Sequence, residues 1–410
     1  MLYRIELPEI TRKRLTDVVY LQMTLLRYAS YRSTSELSRG SCEKYFEKHK
    51  RFRGRHKEIA EWIFRGSKKR ELLETFAMGN KSEKLAWSRS LHHDVVKLLN
   101  NPYGSLTPYI EDKTTPEWKK AGVLFLINFY EQYLDSLPNL FFGIPQVNQI
   151  KKTTIENEFE TLNKKLKVCP TCDFAIGRDE IDHYFPKSIY PHLSCHPFNL
   201  MPICSPCNDK QVKGNTDLLR QSTEIFRSLE QILLPYRTDG LTQHIYLNFD
   251  LSNNYKKPEK IDCFSQKKSR YNFNYLETHA NTYKLSQRWL KMSSIMEHSI
   301  FRTIEKIIEK PENKPHLNIF DIQEILDQYL SQLMDEQGQT GFAFPMTWWL
   351  ATLINQQIEP VINSNQKIDI QDYPFLAEIA SWLKQDTIQH PQFMSNEMID
   401  KARELRKKAR

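Results

Sequence analysis

Two Cys-x-x-Cys pairs, Cys169/Cys172 in "CPTC" and Cys204/Cys207 in "CSPC", stand thirty-one residues apart. Four thiolates in two tight pairs are the usual closed tetrahedral set for structural Zn²⁺, and they leave no open coordination position for catalysis. The separation exceeds the roughly 15 to 20 residues of a compact zinc ribbon, so something more is folded between the pairs. That insertion contains "EIDHYFPKS" (residues 180–188), in which Asp182 and His183 are adjacent. A carboxylate supplies a hard oxygen ligand, and an imidazole exchanges a proton near neutral pH.

The local pattern predicts how these groups are positioned. "RDEIDHY" (178–184) has the length of a short strand, and "DFAIG" (173–177) is expected to pair with it as a hairpin through a turn near Gly177, with Pro186 ending the ladder. Ser205 is an N-cap type of residue, Pro206 suits the first helical position and Gly214 is a stop, which predicts a helix over 206–213 with Asn208 in its first turn. Zinc would clip the start of the hairpin to the start of this helix.

The order Asp182-His183, Pro186, Asn199, then Cys204-x-x-Cys207-Asn208-x-Lys210 resembles the HNH endonucleases, the zinc-supported branch of the ββα-metal nucleases. The likeness spans about 45 of the 410 residues, with His183, Asn199 and Asn208 at the three signature positions. It implies that Asn199 braces the loop and the orientation of His183 without touching the scissile phosphate.

The residue types support the same chemistry. Phosphodiester hydrolysis needs an activated water, shielding of transition-state charge and help for the leaving oxygen. His183 can take the proton if its other ring nitrogen is held by a backbone carbonyl. Asp182 and Asn208 offer oxygen ligands for one Mg²⁺ or Mn²⁺, with waters and phosphate completing the shell. Lys210 and Arg178 could contact flanking phosphates, and Lys187 joins them as a candidate nucleic-acid contact. One geometric obstacle is that successive strand residues point to opposite faces, so Asp182 and His183 cannot address one phosphate from a regular strand.

Each of these residues also has a plainer reading. His183 alone would be a hydrogen-bonded structural histidine, and Lys210 a solvated helix residue. Asp179 and Glu180 suit hairpin surface charge better than metal ligation. Cys195, His192 and His196 suit packing or surface positions, because the zinc set is already complete.

Composition frames the rest. Apolar residues make up 40% of the chain and aromatics 12%, enough to bury real cores. The seven cysteines fit a metal site plus buried thiols better than a disulfide framework, which implies a reducing compartment. No basic region followed by an apolar one opens the chain, and its most apolar run, "AGVLFLINF" (121–129), is too short for a bilayer. The expectation is a soluble, cytoplasmic protein with no membrane partner.

The net charge of +8 is unevenly placed. Residues 44–70 carry eleven Lys/Arg against three Glu, and the last ten residues six against one. Residues 169–210 carry three basic residues against five acidic. Chemistry and positive surface therefore come from different segments. The run at 44–70, with Arg51, Arg53 and Arg55 around Phe52, is either the solvated face of a helix or a phosphate-tracking surface.

The fold class expected is mainly α. A helical region (1–165), broken near "LPNLFFGIPQ", precedes the embedded zinc-supported ββα-metal module (166–220). A connector (221–270) follows, with a half-buried strand in "TQHIYLNFD" and an exposed loop in "SNNYKKPEK". A second helical region (271–410) contains "SQRWLKMSSIMEHSIFRTIEKIIEK", and Trp348 and Trp349 belong to its core or to a partner interface.

The function expected is metal-dependent cleavage of nucleic acid, double-stranded DNA foremost. The resemblance extends to HNH effectors of bacterial antiphage and restriction systems, which often work beside an ATPase or sensor protein. Two alternatives stay open: a non-catalytic zinc-dependent nucleic-acid-binding scaffold, and an RNase toxin.

Overall fold

The computed structural model describes residues 2–52, 54–137, 151–173, 180–222, 225–237, 240–242, 244–251, 255–265, 273–309, 318–364 and 372–383. The described residues are mainly helical, with two small two-stranded sheets among them. Its contacts divide it into two units, one of Met1–Thr171 with Gly177–Leu241 and the other of Cys172–Ile176 with Thr242–Arg410. The cysteine-bearing segment is thus not a unit by itself: most of it is grouped with the N-terminal helices.

The first unit contains α1 (Glu9–Ser30), α2 (Arg39–Glu47), α3 (His56–Phe64), α4 (Ser67–Ala77), α5 (Lys81–Asn100), α6 (Glu117–Asn128) and α7 (Lys152–Leu162). Helix α1 is its axis: Leu15, Val18, Val19, Leu25 and Leu26 are wholly buried, and it packs on α4 and α5. Asn80 caps α5 by accepting from the N–H groups of Ser82 and Glu83. The buried ammonium of Lys84 donates to the carbonyls of Ala77, Arg32 and Ala29 at 2.5, 3.1 and 3.5 Å, answering orphan carbonyls at the ends of α4 and α1. "AGVLFLINF" is a buried helix, since Ala121, Phe125, Leu126 and Phe129 face inward. The break expected at 138–145 lies outside the described residues.

Strands β1 (Glu180–His183) and β2 (Leu200–Ile203) pair antiparallel, with Asp182 opposite Met201 and His183 opposite Leu200. A sixteen-residue loop joins the two strands, and residues 174–177 of "DFAIG", the partner expected for β1, lie outside the described residues. Strand β2 reads "LMPI", with Pro202 inside it, and that proline hid it from a pattern search. Helix α8 (Ser205–Asn208) is also shorter than 206–213. The chain leaves it at Asp209 and turns through Gly214, whose φ of +48° and close approach to the Lys210 carbonyl exclude a side chain.

The second unit pairs β3 (Ile245–Asp250) with β4 (Lys260–Ser265). Ile245, Leu247 and Phe249 are buried as the alternation predicts, and Phe249 stacks on Trp349 at 5.5 Å. Its helices are α9 (Phe273–Thr282), α10 (Leu285–Lys291), α11 (Ser293–Ile308), α12 (Ile319–Asp335), α13 (Ala343–Leu353), α14 (Glu359–Asn363) and α15 (Pro374–Leu383). Trp349 is core, whereas Trp348 is half-buried against Tyr246. The segment read as an exposed loop is partly internal: Tyr255 packs on Phe301 and Phe375, and Pro258 is buried. No helix among the described residues is long and apolar enough to cross a membrane.

The β1–β2 loop is fastened to the first unit by polar groups. His192 lies 3.5 Å from Asp94 of α5. His196 accepts the Phe198 N–H on Nδ1 at 3.2 Å, and its Nε2 lies 3.3 Å from the Val95 carbonyl, which assigns the proton to Nε2. Cys195, His192 and His196 are all completely buried, so of the two roles expected for them packing holds and surface does not.

Burial pushes the pKa of His196 down to about 3. The ring titrates near 6.5 when unfolded, so its stability contribution is complete above about pH 6.5 and is lost as pH falls toward 3, at up to about 1.4 kcal/mol per pH unit. His196→Gln is expected to flatten the pH dependence of urea-unfolding stability below about pH 6.5 by up to that slope. Parallel curves for the two proteins would refute this.

Candidate functional site

The thiols of Cys169, Cys172, Cys204 and Cys207 lie within 4.8 Å of one another, and all four residues are fully buried. Cys169 Sγ and Cys207 Sγ are 3.9 Å apart. A tetrahedral Zn–S₄ centre with bonds of about 2.3 Å spaces its sulfurs by roughly 3.8 Å. The four residues therefore fit a metal ion such as zinc. The Cys204 N–H points at Cys169 Sγ at 3.4 Å, the outer-shell contact that a thiolate ligand accepts. Proline at the start of α8 and the 2.9 Å Cys207 N–H to Cys204 carbonyl bond fold the second pair into a knuckle.

His183 ends β1 and is 8% exposed. Its Nε2 lies 2.9 Å from the Ser194 carbonyl, which assigns Nε2–H and leaves Nδ1 as the basic nitrogen. No hydrogen bond to Nδ1 is formed among the described residues. Ser194 is itself positioned from the helices: its hydroxyl donates to the Leu126 carbonyl of α6 at 2.7 Å and accepts from Gln22 of α1 at 3.2 Å. The Tyr130 ring meets the imidazole edge-on, 4.4 Å between centroids. Over the Tyr130 ring sit the ammonium groups of Lys152 at 4.7 Å and Lys187 at 5.7 Å, and Lys187 also pairs with Glu131 at 2.7 Å. Burial first, and the Lys187 charge second, push the His183 pKa down to about 3.

Asn199 is wholly buried and spans the loop. Its Oδ1 accepts the Phe185 N–H at 2.6 Å, and its Nδ2 donates to the carbonyls of Phe185 and Leu193 at 3.1 and 2.9 Å. Leu193 precedes the residue whose carbonyl holds His183. Asn199 thus fixes both ends of the segment that orients the imidazole.

Asp182 and His183 do diverge, as strand geometry requires. Asp182 is 3% exposed, and its Oδ1 accepts from Lys213 Nζ at 2.7 Å. The same ammonium, 1% exposed, donates to the His183 carbonyl at 2.6 Å. Burial raises the Asp182 pKa, and Lys213 opposes that rise. One oxygen of the Asp182 carboxylate is thus taken by Lys213, while Oδ2 is buried and has no hydrogen bond among the described residues. Asn208 donates from Nδ2 to Glu180 Oε2 at 2.5 Å, so Glu180 is part of this polar group and not plain surface charge.

Lys210 is exposed at the turn after α8. Arg51 pairs with Asp17 at 2.7 Å and Arg55 approaches it at 3.9 Å. Arg53, Arg178, Asp179 and the basic C-terminal ten residues lie outside the described residues. Sequence reasoning missed Lys213, Tyr130, Lys152, Ser194 and Gln22, because each reaches the site through tertiary contact and carries no motif. Comparison of the chain with protein-family models, curated proteins and solved structures found no match.

Purified protein is expected to carry one zinc per chain by elemental analysis, and Cys204→Ser to lose both the metal and part of the folding stability. Full stability of a metal-free protein would refute a structural role for the metal. Lys213→Met leaves a buried carboxylate uncompensated and is expected to cost about 3–5 kcal/mol in denaturant unfolding, whereas Asp182→Leu/Lys213→Met recovers most of that loss. Equal losses in the single and double variants would show that the pair is not coupled.

Proposed function

We propose that this protein is a metal-dependent endonuclease of the HNH type that hydrolyses phosphodiester bonds, with double-stranded DNA as the first substrate to test. One observation carries the reading. On a ββα arrangement beside a four-thiol cluster, a neutral His183 is held through Nε2 by a backbone carbonyl, and Asn199 braces the loop that supplies that carbonyl.

The residues imply a division of labour. Nδ1 of His183 accepts the proton of an attacking water, and the Ser194 carbonyl stabilises the imidazolium that results. An arriving phosphate offsets the positive charge of Lys187 and Lys152, which raises the basicity of His183 when substrate is present. Asp182 Oδ2 and the Asn208 side-chain oxygen would hold the divalent ion, together with water. The buried, unbonded Oδ2 favours that fit. When bound, Mg²⁺ or Mn²⁺ supplies charge shielding at the phosphate and the departing oxygen. Lys213 stays on Asp182 Oδ1, keeping that carboxylate oriented and partly neutralised.

By the same resemblance, the chain would act as the effector of an antiphage or restriction system beside an ATPase or sensor protein. The slight exposure of His183 and the lysine on Asp182 favour a second reading, a zinc-dependent nucleic-acid-binding scaffold that keeps the HNH shape without cleavage.

The test is nicking or linearisation of supercoiled plasmid with Mg²⁺ or Mn²⁺. His183→Ala is expected to retain zinc and lose cleavage by about 10²–10⁴-fold, the usual worth of a positioned base, and Asn208→Ala to retain zinc and lose cleavage through the divalent ion it would help to hold. Cleavage that survives His183→Ala would overturn the assignment. DNA binding without cleavage by any of the proteins would favour the scaffold, and activity confined to RNA would favour the RNase toxin.

A further inference from the structure

The segments that built the site leave one strongly basic face of the first unit unexplained. Along α1, an open groove of about 520 Å³ is lined by Tyr20, Arg27 and Tyr31, with Tyr45, Lys48 and Arg51 on its far wall. Among the described residues no aspartate or glutamate lines it. Arg27 and Lys48 are exposed and have no carboxylate within 4 Å among the described residues. A second hollow of about 330 Å³ adjoins it through the shared Arg51 and continues toward the start of α1 past Thr16, Lys13 and Arg12.

Positions 13, 16, 20, 24, 27 and 31 recur every three or four residues, which puts them on one helix face. At 1.5 Å per residue, Lys13 to Arg27 spans roughly 21 Å, a length that several successive phosphates of an extended strand would cover.

The side chains are braced for an anion. The Arg51 guanidinium lies over the Tyr20 ring at 4.0 Å while it pairs with Asp17 at one end. Arg27 lies 6.0 Å from the centre of the Tyr31 ring, and Tyr31 is 36% exposed. Tyrosine hydroxyls, arginine and lysine are the groups that meet phosphate oxygens in nucleic-acid complexes. The field is felt by the neighbours too: His49, which also lines the groove, is held below its ordinary pKa by burial first and then by Arg51 and Arg27.

We propose that this groove grips the phosphodiester backbone of a nucleic-acid strand, with Arg27, Lys48 and Arg51 as the phosphate contacts and the tyrosine hydroxyls as their partners. The proposal deepens the nuclease reading by assigning the substrate a grip on α1. It rests on the nucleic-acid part of that reading and not on cleavage.

The experiment is fluorescence anisotropy of the full chain with labelled duplex and single-stranded DNA of one sequence across a salt series. Arg27→Ala/Lys48→Ala is compared with wild type and with Lys164→Ala/Lys167→Ala, a change of equal charge outside the groove. All four residues are exposed, so the variants are expected to melt with wild type. Losing two phosphate contacts should weaken binding about tenfold or more near physiological salt, and should flatten the log–log salt slope by about 1.8 on duplex or about 1.4 on a single strand. The form that shows the larger loss identifies the ligand.

Equal losses in both double variants, or no loss in either, would overturn the groove as a site, as would a wild-type protein that binds neither form. Groove-dependent binding without plasmid cleavage would sink the cleavage reading and leave the groove standing. Cleavage with binding untouched by Arg27→Ala/Lys48→Ala would do the reverse.

Discussion

A single buried ammonium governs the geometry of the site. Lys213 Nζ is taken almost completely out of water and meets the Asp182 carboxylate and the His183 carbonyl together. Burying a charge is expensive unless it is paired and hydrogen-bonded, so this contact either forms fully or not at all. It ties the end of β1 to the turn beyond α8 and settles the two adjacent side chains in different surroundings. Asp182 is turned toward a cation, and His183 toward a carbonyl and an aromatic edge. The spacing of the four clustered cysteines closes the knuckle around α8, and Gly214 allows the backbone to double back next to Lys213. The four-thiol cluster, turn geometry and ion pairing thus constrain the same short stretch.

The site is built from outside as much as from within. The carbonyl that holds His183 belongs to Ser194, and Ser194 is held by Gln22 and by the Leu126 carbonyl, from two helices far away in sequence. The loop around it carries buried polar groups that a small module could not satisfy alone. Asp94 faces His192 and takes the Thr107 N–H, the Val95 carbonyl meets His196, and Asp217 accepts from Tyr190. At Ser194 and His196 the helical body thus replaces hydrogen bonds to water that burial removes, whereas His192 makes only its 3.5 Å approach to Asp94.

The legible parts of the sequence were those written in local chemistry. Four cysteines in two pairs announce a cluster, Asn199 stands where a brace belongs, and Ile245, Leu247 and Phe249 alternate into a strand that is there. The wrong parts were pairing and reach. The pairing of β1 with "LMPI" went unread, because a proline inside that segment disguises it as a strand. Lys213 looked like an ordinary helix-end lysine, since nothing in "QVKGN" records that its ammonium will be sealed against a carboxylate thirty-one positions earlier. Contacts of that separation depend on which surfaces meet, and periodicity does not encode them.

The sixteen-residue loop between β1 and β2 has a consequence for portability. In a free-standing ββα unit, the residues between the strands would need only water and one another. Here Ser194, His192 and His196 find their partners on α1, α5 and α6. Cut away from those helices, the zinc knuckle could still close, but the imidazole of His183 would lose the support behind its carbonyl anchor. The helices are thus part of the site's own scaffold.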